Sequence, residues 1–130
     1  MMELSSMADS PSALLTLSAP YYRWEGKLYV EDQSISGMKA WSEHFPKIVM
    51  PSVCLHEPPP PAWSVAAAHG IVSPQIELVE LPNGYDRATF LRRRKEVAEQ
   101  LLGIMRRCNY NLFAIGGWIG DWGVTGALTA

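Results

Sequence analysis

The sequence predicts an α/β fold, a Rossmann-like open parallel sheet with helices on both faces. Short apolar runs, such as residues 13–19 and 47–53, are continuous rather than alternating, as in strands buried on both faces of a parallel sheet. Between such runs lie two segments with apolar residues at three- and four-residue steps, which predict helices. The order strand, helix, strand, strand, helix, strand, start of helix is that of a doubly wound domain.

Composition limits the class of protein. The 130 residues are 48% hydrophobic and 18% charged, which suits one globular domain. We expect residues 1–12 to be a flexible tail and residues 13–130 to be one partial domain. The tail resembles no signal peptide, and no apolar run reaches the ~18 residues of a spanning helix. A cytoplasmic chain with reduced cysteines is therefore expected. Cys54 and Cys108 lack metal-ligand spacing, so no metal site and no cofactor are predicted.

An aromatic hairpin and a helix are predicted directly after the first strand. After strand 13–19, residues 21–30 place aromatic and β-branched side chains around a central Glu-Gly pair, which is typical of a hairpin. This hairpin would lie at the carboxyl end of the first strand, where ligand loops occur. Tyr22 and Trp24 either border a ligand or cap the edge of the core. A helix is then expected from an N-cap at Asp32, with Ser34 as the second choice, to about residue 45.

A polar pair follows the second predicted strand. Pro51 argues against a fully bonded central position late in strand 47–53. His56 and Glu57 come next and lead into four consecutive prolines, which predict a stiff extended loop. The pair suits acid–base chemistry. Two residues without a third partner are, however, a weak signal of a catalytic site.

The clearest helix carries most of the positive charge. It is expected from an N-cap at Asp86 to about residue 107, after an edge strand at 75–81. Residues 86–108 hold seven basic and three acidic side chains, a net +4, which leaves −6 for the rest of the chain. A uniformly basic nucleic-acid-binding protein is thereby excluded. The basic run is either an ordinary solvated face or a contact with anionic lipid, and it consists of Arg92, Arg93, Arg94 and Lys95.

The glycine-rich turn in residues 111–123 follows the fourth strand and precedes the start of a last helix. It does not match the dinucleotide fingerprint, because the second glycine spacing fails and Trp118 stands where backbone must approach a pyrophosphate. P-loop, serine-elbow and zinc-protease motifs are also missing from the sequence. Asp121 lies between Trp118 and Trp122, a pattern suited to binding sugar rings and hydroxyls. The alternative is that both tryptophans belong to the core and Asp121 is the helix N-cap.

Four stretches in order resemble the N-terminal, acceptor-side half of a bacterial GT-B glycosyltransferase of the family-4-like group. They are ALLTLSAP, the hairpin followed by VEDQSISGMKAWSEHF, HEPPPPAW and FAIGGWIGDWG. The resemblance implies a sugar transferase of polysaccharide biosynthesis, which moves a hexose from a nucleotide-sugar to a saccharide or lipid-linked acceptor. It also implies a second domain that binds the donor and is not present here, so the chain alone is expected to be inactive.

The resemblance also assigns roles to residues. Relatives place a histidine after the fourth strand; this sequence has Gly116-Gly117 there, so Asp121 is only a candidate catalytic substitute. Peripheral contact with the inner face of the membrane is implied for the basic run. The residues expected to bind the acceptor are Tyr22, Trp24, Gln33, His56, Glu57, Gly116, Gly117, Trp118 and Trp122.

A second hypothesis needs no catalysis. The chain would then be an α/β interaction module whose unfinished carboxyl-terminal part exposes apolar surface. Such a module would dock on a partner or form a homo-oligomer.

Overall fold

A computed structural model describes residues 12–71, 73–114 and 122–130. Within these ranges, seven strands form one mixed sheet and three α-helices pack on it. The strands are β1 (Ser12–Leu15), β2 (Tyr21–Trp24), β3 (Lys27–Glu31), β4 (Lys47–Leu55), β5 (Trp63–Val65), β6 (Ile76–Leu81) and β7 (Tyr110–Leu112). The helices are α1 (Asp32–Ser42), α2 (Arg87–Met105) and α3 (Gly123–Thr129), with a short 3₁₀ helix at Ala66–His69.

The sheet is α/β as predicted, but the prediction of a purely parallel sheet is wrong. Strands β6, β4, β1 and β7 lie side by side in that order and are parallel. The hairpin of β2 and β3 joins the same sheet, because β2 pairs in parallel with the carboxyl end of β4. Its tight turn forces β3 to run antiparallel to β2, and β5 then adds antiparallel to β3.

Strand β4 lies at the centre of the sheet, contrary to the expectation drawn from Pro51. Its partners are β6 on one edge and β1, followed by β2, on the other. The carbonyl of Pro51 accepts a hydrogen bond from Leu17 N (3.1 Å), just beyond the last residue of β1. Since N and C=O of one residue point to the same edge of a strand, the nitrogen of Pro51 faces the carbonyl of Leu15 at the end of β1. Pro51 therefore omits one ladder hydrogen bond, at the place where β4 changes its partner from β1 to β2.

Two hydrophobic clusters lie on opposite faces of the sheet, as expected for helices on both faces. Neighbouring residues of one strand, such as Ala13 and Leu14, belong to different clusters because side chains alternate across a strand. The first cluster includes Ile35 and Met38 of α1. The second includes Val97, Leu101, Ile104 and Met105 of α2, together with Trp122.

Several local predictions are confirmed. The hairpin turns at Glu25 (φ 50°) and Gly26 (φ 77°). Asp86 is the N-cap of α2, and its carboxylate accepts a hydrogen bond from Thr89 N at 3.1 Å. Strand β6 pairs with β4 and, among the described residues, with no second strand, so it lies at an edge.

Other boundaries differ from the sequence expectation. The N-cap position of α1 is Glu31, whose side chain makes no capping hydrogen bond, and Asp32 is already helical. The N-cap position of α3 is Trp122, in a left-handed conformation with φ 73°, rather than Asp121. Among the described residues, no helix is both long enough and apolar enough to cross a bilayer.

Gly126 allows α3 to pack against the rest of the second cluster. A Cβ atom at this position would lie 2.5 Å from Cε1 and 2.7 Å from Cδ1 of Phe113. Real Cβ atoms do not approach a ring this closely, so only glycine fits without displacement of the ring.

We predict that Gly126→Ala destabilises the protein by about 1–3 kcal/mol, the usual result of forcing extra carbon into a packed core. The matched control is Gly103→Ala on α2, where a Cβ atom would meet nothing within 4 Å. That change should stabilise by roughly 0.5–1 kcal/mol, because alanine is the better helix former. Urea unfolding of both variants measures the difference. Equal stability of the two would contradict the packing argument.

Candidate ligand-binding site

A polar pocket of about 400 Å³ opens at the carboxyl ends of β4 and β6. The end of β4 contributes Cys54, His56 and Glu57, and β6 contributes Glu80. The first turns of α2 close another side with Thr89 and Arg93. The carboxyl edge of an α/β sheet is where ligands of such folds bind, because the loops there are free to differ.

Strand register explains why the polar groups meet. Ser52 of β4 pairs with Glu80 of β6, so the two residues point to the same face of the sheet. Cys54 follows Ser52 by two residues and lies on that face too, opposite Tyr21 of β2. Arg23 follows Tyr21 by two residues. Three neighbouring strands thus direct an arginine, a thiol and a carboxylate to one place.

Arg23 and Glu80 form a bidentate ion pair across β4. Arg23 Nε donates to Glu80 Oε1 (2.9 Å) and Nη2 donates to Oε2 (2.6 Å), the fork-to-fork geometry of the strongest arginine–carboxylate pairs. These hydrogen bonds lower the pKa of Glu80, with a smaller contribution from the Cys54 thiol. Glu80 therefore stays ionised at neutral pH, and the pair connects the hairpin to β6.

The thiol of Cys54 is buried beside this pair. Burial, first, and then the hydrogen bond to Glu80 raise the pKa of Cys54 to about 12. Neighbouring Tyr21 is also buried; its hydroxyl donates to the Met50 carbonyl (2.5 Å), and burial raises its pKa well above the usual value. The Cys54 thiol and the Tyr21 hydroxyl are therefore neutral at pH 7. Arg23 and Glu80 are the charged groups among these four side chains.

Of the residues expected to bind an acceptor, the structure places His56 and Glu57 in the pocket, both exposed. Tyr22 pairs with Leu55 of β4, two residues before Glu57. Burial, first, and then the charge of Glu57 raise the pKa of Tyr22. Its ring packs edge-on against Trp63, with 5.5 Å between the ring centres. Trp24 is 38% exposed at the tip of the hairpin.

The remaining predicted residues are elsewhere or not described. Gln33 is exposed in the first turn of α1 and does not line the pocket. Trp122 is fully buried; its ring stacks on Phe90 at 4.9 Å, and Nε1 donates to the Pro82 carbonyl at 2.8 Å. Its indole therefore offers no surface to a ligand and supports the core alternative. Outside the described residues lie Gly116, Gly117, Trp118 and the candidate catalytic Asp121.

The four basic residues of α2 do not share one surface. Arg93 is half-buried, lines the polar pocket and pairs with Glu96 at 2.5 Å. Arg94 and Lys95 instead border an apolar groove of about 510 Å³ between α2 and α3. Arg92 is exposed and lines neither of the two cavities. Consecutive residues of an α-helix are rotated by about 100° around its axis, so neighbouring side chains face different surfaces.

Sequence reasoning missed Arg23, Cys54 and Glu80 as parts of the site. The sequence did carry a signal, because a charged residue stands inside each of two predicted strands. Arg23 interrupts the aromatic residues of β2, and Glu80 precedes the buried Leu81 in β6. Their contact depends on the pairing of β2 with β4, which no local pattern specifies.

No model of a known protein family, no curated protein sequence and no solved structure matches this chain significantly.

We predict that Glu80→Gln accelerates alkylation of Cys54 in a Cys108→Ser background. Glu80 raises the pKa of Cys54, so its removal lowers that pKa and increases the thiolate fraction at pH 8. Burial still keeps the pKa above that of a free thiol. The measurement is the iodoacetamide rate across pH.

Arg23→Gln provides the control with the opposite sign. Arg23 lowers the pKa of Cys54, so its loss should slow alkylation or leave it unchanged. Faster reaction in both variants would mean that breaking the ion pair merely exposes the thiol, and it would contradict the electrostatic account.

Proposed function

We propose that this chain is the acceptor-binding N-terminal part of a glycosyltransferase. The enzyme would transfer a sugar from a nucleotide-sugar to a saccharide or lipid-linked acceptor in polysaccharide biosynthesis. The observation that carries the proposal is the polar pocket at the carboxyl ends of β4 and β6, next to the aromatic hairpin.

The strand order supports a Rossmann-like ancestry for the parallel part of the sheet. Apart from the hairpin strand β2, which is also parallel to β4, the parallel strands in chain order are β1, β4, β6 and β7, and they lie in the order 3-2-1-4. This is the order of the first four strands in the classic dinucleotide-binding fold. The antiparallel strands β3 and β5 then extend this parallel arrangement beyond β2.

The chemistry of the pocket suits a saccharide. Glu57 accepts hydrogen bonds from hydroxyl groups, and the Asn83 amide can both donate and accept. Tyr22 and Trp63 do not line the pocket, but Tyr22 pairs with Leu55, which does, and packs against Trp63. Aromatic surface of this kind packs on the apolar faces of sugar rings. His56 can donate to or accept from a hydroxyl at the same edge. The donor, as the resemblance implies, would bind to a second domain across this edge.

The groove between α2 and α3 favours contact with a membrane surface. Its walls include Phe90, Val124 and Leu128, and Leu128 is 83% exposed. Arg94 and Lys95 stand at its border, so apolar side chains lie next to positive charge. This combination is typical of surfaces that bind anionic lipid headgroups. The same apolar surface is the observation that supports the alternative, a non-catalytic module that self-associates.

We expect the chain to bind saccharides, free or linked to a short polyprenyl diphosphate, and Glu57→Gln to weaken that binding about tenfold. A hydrogen bond to a charged group contributes about 1.5–3 kcal/mol, and 1.4 kcal/mol is a factor of ten in affinity. His56→Ala should weaken it as well. Calorimetry across a panel of such acceptors measures both effects.

The control is Glu43→Gln, which removes an exposed carboxylate that does not line the pocket. Its affinity should equal that of the wild type. Absence of saccharide binding, or equal affinity in all variants, would contradict an acceptor site here.

For the membrane surface, we expect the chain to float with anionic vesicles and not with neutral ones. The double change Arg94→Glu and Lys95→Glu should reduce binding at least tenfold, because each basic residue near an anionic surface contributes about 1 kcal/mol. The control, Arg106→Glu with Arg107→Glu, makes the same charge change beyond the other end of α2 and should bind normally. If vesicles are not bound, and sedimentation shows a dimer that Leu128→Ser dissociates, the groove serves self-association instead.

A further inference from the structure

We propose that Cys54, His56 and Glu80 form a binding site for a divalent transition-metal ion of the Zn²⁺ type. The sulfur, one imidazole nitrogen and one carboxylate oxygen all lie within 4.8 Å of one another. Within the described residues, these are the three side chains that could jointly hold a metal ion. The proposal does not depend on sugar transfer, since any function of the pocket could include a metal.

The three ligand types select the metal. A thiolate and an imidazole together favour borderline-soft ions such as Zn²⁺ and Co²⁺ over Mg²⁺ and Ca²⁺, which prefer oxygen ligands alone. Three protein ligands leave the fourth position of a tetrahedral site for water or a bound ligand. All three residues line the polar pocket, so a ligand in the pocket could reach that position.

The geometry requires little movement. Bonds of about 2.0–2.3 Å in a tetrahedral zinc site place ligand atoms about 3.3–3.8 Å apart, so the cluster must contract by up to about 1.5 Å. His56 follows the end of β4 and is exposed, so rotation of its side chain can supply most of this contraction. The sulfur of Cys54 and a carboxylate oxygen of Glu80 already lie within 4.8 Å of each other on neighbouring strands.

The Arg23–Glu80 pair holds the carboxylate in place and still allows it to bind a metal. Each carboxylate oxygen of Glu80 receives one hydrogen bond from Arg23. Two such oxygens offer about four lone-pair sites, so acceptor capacity remains on the side of Cys54. Carboxylate ligands in metal sites are commonly oriented by a second hydrogen-bonding partner in this way. On binding, the metal takes the place of the thiol proton between sulfur and carboxylate, and that proton goes to solvent.

Titration of the chelator-treated chain with Co²⁺ tests the site. We expect one ion per chain, a sulfur-to-cobalt charge-transfer band in the near ultraviolet and the intense visible bands of tetrahedral Co²⁺, all removed by Zn²⁺. Cys54→Ser should abolish the charge-transfer band. His56→Ala, an exposed position where folding is not at risk, should weaken binding at least about tenfold, the lower limit seen even for partners outside the ligand shell.

Two matched controls address the remaining thiol and a remote histidine. Cys108→Ser and His69→Ala remove the same chemical groups outside the cluster and should bind Co²⁺ as the wild type does. Circular dichroism checks that each variant is folded. A wild-type spectrum without the charge-transfer band, a band that survives Cys54→Ser, or unchanged affinity in His56→Ala would overturn the proposal.

Discussion

The hydrogen bonding of β4 is the constraint on which the rest of the structure depends. This strand is buried from Ile48 to Cys54 and pairs with β1, β2 and β6. It also holds the loop that leaves β1, because the buried hydroxyl of Ser52 donates to the Ala19 carbonyl at 2.7 Å. Burial on both faces makes an unpaired backbone group costly, so the register of β4 sets the position of its neighbours.

The site follows from the different lengths of β4 and β1. Strand β4 continues past the end of β1, and the free part of its edge pairs with β2. That pairing brings Arg23 to Glu80 and positions the aromatic hairpin beside Glu57. Pro51 lies just before this change of partner, and its missing N–H omits a single hydrogen bond to the last residue of β1.

Local patterns predicted the elements better than their partners. The Glu-Gly hairpin, the Asp86 N-cap and the edge position of β6 are properties of short segments, and each is confirmed. Of the predicted acceptor residues, His56 and Glu57 line the pocket because they follow a strand that the sequence identified. Trp122 shows where local patterns stop being informative. An aromatic residue beside glycines is equally typical of a binding loop and of a core, and only the packing of Trp122 on Phe90 shows that it belongs to the core.

The sequence by itself determined most of the segments that become strands or helices, because these depend on periodicity and on residues a few positions apart. The short strand β5 is the exception, since its three residues have no periodicity of their own and, within the described part of the chain, pair only with β3. The tertiary structure decided that β3 and β5 make the sheet mixed and that Arg93 separates from Arg94 and Lys95. It also joined Arg23, Cys54 and Glu80, which lie far apart along the chain. Strand pairing brought them together, and pairing is set by the fit of whole elements rather than by any one segment.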